Sequence, residues 1–490
     1  MGNLTLAITN IEDFFINKSI SNTKDKNSVS LKSNGMNIVI PGYQRPYKWS
    51  VKNASQLYDD ILDAQKSNRE VYRVGTLILY KNNEKKQYEI VDGQQRIITF
   101  WLLLKSLKIN DVFELKINDI SITKNNILKN YNMFLRRNQK LPNQDEICKY
   151  IKINCQFVVI ITDNASEAFQ FFDSQNARGK ALYPHDLLKA YHLREMSDVE
   201  TSTIEKTVKI WEETNQYELS SLFTEYLYRL KEWIRGNKSY KLDEKNIDIF
   251  KGVSANDNYP YAQYYKGAYA YAHDVNVSPL PFVSGVKKLS QFQINAPIIA
   301  GQPFFEYAKH YFDILSDIQN NDKYEGFLVN GNEIIKTLNL KNNKKGVGNR
   351  ITRLLLDTAL LLYADRFCPE KPEKTDINLL EQFLVYAFIW AYSLRVQYYN
   401  VGWKTAQNFV LGFSDVYNSF NIYKLIIESD SPISLLSALS EIIIPLPKDK
   451  IVFADIDSGI DEKDDNGIFE SFLHFFKQYN FIQGGNENEK

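Results

Sequence analysis

Branched and aromatic residues run almost unbroken through "VGTLILY" (74 to 80) and "YEIV" (88 to 91), with the polar "KNNEKKQ" between them. Two short apolar runs around a polar turn predict a β-hairpin. "QFVVIIT" (156 to 162) has the same character and reads as a buried strand, and "NIVI" (37 to 40), closed by Pro41-Gly42, reads as another. Elsewhere the period turns helical. "NIEDFFIN" reads as a short helix start, and Ser50 is placed to cap "VKNASQLYDDILDAQ". Ala165, Ala168, Phe169 and Phe172 keep helical spacing until Asn176 to Gly179 break it, and Pro184 then sits in the first turn of a further helix. Residues 105 to 150 are rich in Lys and Asn with a weak period, which suits a helical hairpin or a variable insertion.

From about 200 to 448 the helical period dominates, as in "SSLFTEYLYRLKEWI" and "ITRLLLDTALLLYADRF". No fixed repeat of 30 to 45 residues is visible, so an irregular bundle is expected rather than an array. "DIDSGIDEKDDNG" (455 to 467) reads as an acidic loop and "QGGNENEK" as a disordered polar tail. The expected class is therefore α+β: a small mixed α/β domain over 1–200, a large all-α region over 201–448, and a loop, terminal helix and tail over 449–490.

Composition narrows the function classes. The 490 residues are 44% hydrophobic and 24% charged, ordinary for a soluble globular chain. Lys+Arg and Asp+Glu both number 59, so no global basic field exists and any nucleic-acid contact must come from a local patch. Cys148, Cys155 and Cys368 lack CxxC spacing and read as small buried residues in a reducing cytosol. The five histidines show no metal-ligand spacing, and no GxSxG motif is present. The N-terminus lacks a secretory pattern, and "LLEQFLVYAFIWAY" (379 to 392), interrupted by Glu and Gln, is expected to fall short of a bilayer span. A cytoplasmic protein without a membrane partner is expected. The tyrosines at 261, 264, 265, 269 and 271 fit either base stacking or a packed helix, and core packing is the expectation.

Three constellations could carry chemistry. In "YEIVDGQQRIITFWLLL" a strand stops at Asp92-Gly93 and a helix follows at once. A glycine turn before a helix N-terminus is a seat for phosphate, Arg96 can grip it with a forked contact, Asp92 can hold magnesium or act as a base, and Gln94 or Gln95 can orient water. The plainer account is a capped turn with Arg96 in a surface ion pair. In "IPGYQRPYKWS" the aromatic residues Tyr43, Tyr47 and Trp49 surround Gln44, Arg45 and Lys48, a set that can stack a base or cover a core edge. In "FFDSQNARGKAL" and the following "DLLKA", Asn176, Arg178 and Gly179 form a polar loop, and Asp186 and Lys189 share a helix face, as phosphate contacts or as an exposed ion pair.

In this order and spacing, over roughly residues 10 to 195, the three motifs resemble the N-terminal domain of GmrSD-type restriction endonucleases, whose broad family includes SspE-like phage-defence proteins. The resemblance implies a ParB- and sulfiredoxin-like nucleotide-binding fold, with DGQQR as the NTP-binding and hydrolysis motif. Carried over, Asp92, Gln94, Gln95 and Arg96 are the implied catalytic residues. Gly93, Arg96, Tyr43, Gln44, Arg45, Asn176, Arg178, Gly179 and Lys189 are the implied nucleotide contacts, supported by Tyr47, Trp49 and Asp186. NTP and Mg2+, the latter at Asp92, are the implied cofactors. The partners implied are DNA, modified phage DNA included, and a separate nuclease subunit, since the His-Me-finger motif of many members is missing: beyond residue 311 only His474 remains. An oligomer is left open.

The resemblance thus implies an NTP-hydrolysing regulatory or specificity component of a restriction-like anti-phage system. Two other readings stay open: a non-catalytic, nucleotide-gated DNA adaptor of ParB-like type, and a nicking nuclease using carboxylates of the acidic segment 455 to 470.

Overall fold

Each of the four apolar runs read as a strand becomes one. The computed structural model describes residues 4–20, 29–30, 37–41, 44, 46–115, 121–164, 167–168, 171, 183–196, 199–243, 245–277, 289–320, 332–369, 372–452 and 467–483. In chain order the strands are β1 (Leu4–Asn10), β2 (Ser19–Ile20), β3 (Val29–Ser30), β4 (Asn37–Val39), β5 (Tyr72–Asn82), β6 (Gln87–Asp92) and β7 (Cys155–Thr162). Five of them form a mixed sheet in the order β1-β7-β5-β6-β4, while β2 and β3 pair separately. The expected hairpin is β5 with β6, antiparallel, with Leu79 opposite Ile90. β4 runs parallel to β6, and β7 parallel to β5.

Parallel neighbours need a crossover, and helices supply it. Between β4 and β6 lies α1 (Val51–Lys66), started by the Ser50–Asn53 capping box that the sequence suggests. Between β5 and β7 lie α2 (Gln94–Ser106), α3 (Ser121–Asn138) and α4 (Gln144–Asn154). The Lys- and Asn-rich stretch is thus largely a helix pair. Leu77, Leu79, Tyr88, Ile90, Phe157 and Val159 on one sheet face belong to the main core with these helices. Ile78, Val91 and Ile160 on the other face meet Ala168 in a smaller cluster. Strands covered on both faces read as continuous apolar runs, which explains their legibility.

β1 was not legible. It pairs antiparallel with β7 at the sheet edge, but its pattern is inverted: Leu4 and Leu6 are exposed while Ala7 and Thr9 are buried. Its run Leu4-Thr5-Leu6-Ala7-Ile8-Thr9 does alternate, but the small and polar residues, not the large apolar ones, take the inner face.

Two compact units partition the chain, Met1–Tyr183 with Asp198–Thr214, and Pro184–Ser197 with Asn215–Lys490. The chain is therefore mixed α/β at its N-terminal end and helical beyond. In the helical unit, Val347–Phe367 packs along Lys374–Gln397, with the Tyr363 and Phe383 rings stacked at 4.3 Å. Trp390 meets Tyr423 edge-on at 5.6 Å, and Tyr423 stacks on Trp233 at 5.3 Å.

Two expectations are corrected here. The apolar stretch around 379–392 belongs to a 24-residue helix, Lys374–Gln397, which by length and composition could span a bilayer. Most of its apolar window is buried inside the unit, as suits a core helix. The tyrosine run does not pack as core. In the helix Pro260–Val277, Tyr261, Tyr264 and Tyr271 are exposed and the buried residues are Ala262 and Ala272. The small side chains take the inner face, Tyr265 and Tyr269 are half-buried, and the other three tyrosines are left outside. The acidic segment 455–466 and the tail 484–490 lie outside the described residues.

His192, on α5 (Pro184–Arg194), sets a pH response. Its Nε2 meets the Phe250 carbonyl at 3.0 Å, its Nδ1 accepts from Gly301 N at 3.3 Å, and its ring stacks on Phe304 at 3.7 Å. Burial pushes its pKa down to about 3. The folded chain therefore refuses a proton that the unfolded chain takes near pH 6.5, so the stability is fully present above that pH and falls as pH drops below it. The expected slope is about 1.4 kcal/mol per pH unit. Asp365, raised by burial to about 6, opposes this between its two pKa values. Comparing melting of the wild type with His192→Gln from pH 7.5 to 5 removes that background, and the wild-type advantage should shrink with falling pH.

Candidate functional site

The site begins where β6 ends. Asp92 closes the strand and Gly93, at φ +95°, turns the chain into α2. A side chain at Gly93 would be strained at that φ, and its Cβ would run into Leu77 Cδ2 and lie 3.3 Å from the Thr76 carbonyl oxygen. Gly93 O accepts from Ile97 N at 2.9 Å, and no side chain caps the helix. The first-turn amides and the positive end of the helix dipole lie at this turn, where an anion is stabilised.

Arg96 stands one turn into α2, and its Nη2 lies 3.3 Å from Asp92 Oδ2. Each side chain is about one quarter exposed, 24% and 25%, so the pair borders solvent rather than the core. Its position depends on Gly75, a residue the sequence reading passed over. Gly75 has φ +135°, and a Cβ there would overlap Arg96 Nη1 and sit 3.1 Å from its Cζ. The guanidinium thus lies against bare backbone beside the register shift of β5 between Arg73 and Gly75. An isolated glycine inside an apolar strand is a sign of such a bulge or close approach, so the signal was present in "VGTLILY".

Both glutamines, Gln94 and Gln95, are buried. Gln95 Oε1 accepts from Lys48 N at 2.8 Å and Trp49 N at 3.2 Å, and its Nε2 donates to Pro46 O at 3.1 Å. Both ends of the amide are engaged in holding the 46–49 loop. Gln44 Nε2 donates to the carbonyls of Ile90 at 2.9 Å and Val91 at 2.8 Å, fastening the same loop to the end of β6.

Tyr47 is a core residue. Its hydroxyl meets Thr99 Oγ1 at 2.8 Å and accepts from Asn130 Nδ2 at 2.8 Å, and burial raises its pKa. Asn130 Nδ2 also donates to Trp49 O at 2.9 Å, and the half-buried Trp49 packs on the main core. Lys48 reaches Glu212 at 2.8 Å on the helix α6 (Thr201–Glu213), which belongs to the same unit. Thr99, Asn130 and Glu212 lie in other stretches of sequence, and nothing local marks them as partners of this loop.

The structure therefore brings together Gln44, Tyr47, Trp49 and Asp92 to Arg96. Asp186 and Lys189 belong to the helical unit, on α5, where Lys189 is buried rather than exposed. Tyr43, Arg45, Asn176, Arg178 and Gly179 lie outside the described residues. Among the described residues no group of three or more His, Cys, Asp or Glu side chains could hold a metal. Asp92 belongs to no such group, and a single carboxylate suits a magnesium ion arriving with phosphates and water.

Gly75→Ala should displace Arg96 from the β5 backbone while leaving its charge in the chain. If Arg96 acts where it is seated, the variant should lose ligand binding at this turn at least tenfold in a titration, although Arg96 is still present. Unchanged binding would show that the seat does not matter.

Two family models match separate stretches of the chain. Residues 26–193 match the model of the GmrSD restriction endonuclease N-terminal domain. Residues 203–451 match a family of unknown function, DUF7834. No curated protein matches the chain.

Proposed function

With the chain a member of the DUF7834 family over just above half its length, and its residues 26–193 a GmrSD restriction endonuclease N-terminal domain, we propose that the β6–α2 turn binds a nucleoside triphosphate with Mg2+. Its hydrolysis would regulate DNA recognition in a restriction-like phage-defence system. The observation that carries this reading is the turn itself: an uncapped helix N-terminus opened by Gly93, with Arg96 and Asp92 side by side at its mouth. We read the mixed sheet with its strand, glycine, arginine and helix as of ParB and sulfiredoxin type.

In this reading the α2 amides and Arg96 hold the phosphate oxygens, and Asp92 takes the magnesium ion, exchanging its contact with Arg96 for the metal. Gln95 positions the aromatic loop instead of activating water. DNA, modified phage DNA included, is the proposed partner, and cutting is assigned to a separate nuclease subunit. Cytoplasmic location belongs to the same proposal.

A specific observation favours a second reading. With both ends of the Gln95 amide engaged, Gln95 is not free to orient water, which suits a nucleotide-gated adaptor that binds without rapid turnover. Phosphate release from ATP, GTP, CTP and UTP, with and without modified and unmodified DNA, separates the two. Turnover that responds to DNA supports the first; binding without turnover supports the second.

A further inference from the structure

The helical unit contains a cavity of about 570 Å³ that the turn at Asp92 to Arg96 does not explain. Its size falls within the range of small-molecule sites. One wall is the first two turns of the helix Val347–Phe367 with the segment before it, and it carries Lys344, Arg350 and Arg353. Facing groups include Tyr217, Tyr226 and Trp403.

The floor is fixed in place. Arg353 Nε donates to Asp357 Oδ1 at 2.6 Å and its Nη1 to Asn339 Oδ1 at 3.0 Å, while Gln319 Nε2 donates to Asp357 Oδ2 at 3.2 Å and Tyr226 OH at 2.6 Å. Asp357 thereby balances Arg353. The other lining carboxylate, Glu225, is met by Arg229 at 3.0 Å, whose guanidinium lies 3.6 Å over the Trp403 ring. Lys344 and Arg350 are exposed and form no ion pair among the described residues. Among the described residues these two cations are uncompensated at the opening of the cavity. Tyr217, 84% exposed, stands among the lining residues with its ring largely uncovered.

We propose that this cavity binds a small phosphorylated ligand bearing a planar ring, of the nucleoside monophosphate class, as a second site independent of the β6–α2 turn. Lys344 and Arg350 take the phosphate, the Arg353–Asp357 pair fixes the floor beneath it, and Tyr217 with the Trp403 edge of the cavity covers the ring.

The test uses the full chain carrying Arg96→Ala, so that the other proposed nucleotide site is disabled. AMP, GMP, CMP, UMP and inorganic phosphate are titrated calorimetrically. One equivalent of a nucleoside monophosphate is expected to bind, at least tenfold weaker after Arg350→Glu and after Lys344→Glu, with melting unchanged since both residues are exposed. Tyr217→Ala should weaken the nucleotide but not inorganic phosphate. Binding indifferent to Arg350→Glu, no binding at all, or binding of single-stranded oligonucleotides with no monophosphate bound would overturn the proposal. Equal loss of phosphate and nucleotide in Tyr217→Ala would overturn the ring contact. None of these results bears on nucleotide binding by chains that retain Arg96.

Discussion

Arg96→Ala is expected to reduce nucleoside triphosphate turnover by the full chain by about two orders of magnitude or more, the usual cost of losing a preorganised charge at developing phosphate charge. Stability should change little. The side chain is one quarter exposed and its ion pair with Asp92 borders solvent, so the loss of that pair is worth about 1 kcal/mol at most. A malachite-green phosphate assay beside a thermal melt separates the two effects. Turnover lost with melting preserved assigns Arg96 to the chemistry; equal loss of both would make it a structural residue. Arg96→Lys should recover little, because a point charge cannot reproduce the fork that spans two phosphate oxygens.

Gly93→Ala carries the second large effect, and it falls on the fold as well as the site. The φ of +95° disfavours any L side chain, and the new methyl group meets Leu77, a main-core residue, and the Thr76 carbonyl. Left-handed backbone costs about 1–2 kcal/mol and forced overlap in a packed core about 1–3 kcal/mol, so a loss of roughly 2–5 kcal/mol in the N-terminal unit is expected. Hydrogen exchange over β5, β6 and α2 reads it directly. Faster exchange there, with the Val347–Phe367 and Lys374–Gln397 helices still protected, is the expected pattern. Protection equal to the wild type would show that Leu77 can yield and that the turn does not depend on glycine.

Much of this site could be read from the chain, for reasons that particular residues make clear. β5, β6 and β7 are covered on both faces, so their apolar runs are continuous, and a strand that stops at Asp-Gly before an apolar helix announces its own geometry. The capping box at Ser50 and Asn53 is likewise local. What the sequence hid is the direction of side chains whose partners are distant. Gln95 reads like a free catalytic amide, yet its partners are the backbone of Pro46, Lys48 and Trp49. Tyr47 could be read as a stacking ring or as cover for a core edge, and Thr99 and Asn130, distant in sequence, close over it. The tyrosine helix misled in the opposite sense, since small alanines took its inner face. β1 was hidden because its leucines point outward.

The central claim is that the β6–α2 turn is the nucleotide seat, and calorimetric titration of each Mg2+-bound nucleoside triphosphate into wild-type and Arg96→Ala chains tests it most directly. The account predicts saturable binding of at least one nucleotide by the wild type, weakened at least tenfold in Arg96→Ala and again in Gly75→Ala, where Arg96 is present but displaced. Equal binding by all three chains would contradict it and move the nucleotide away from Asp92 to Arg96.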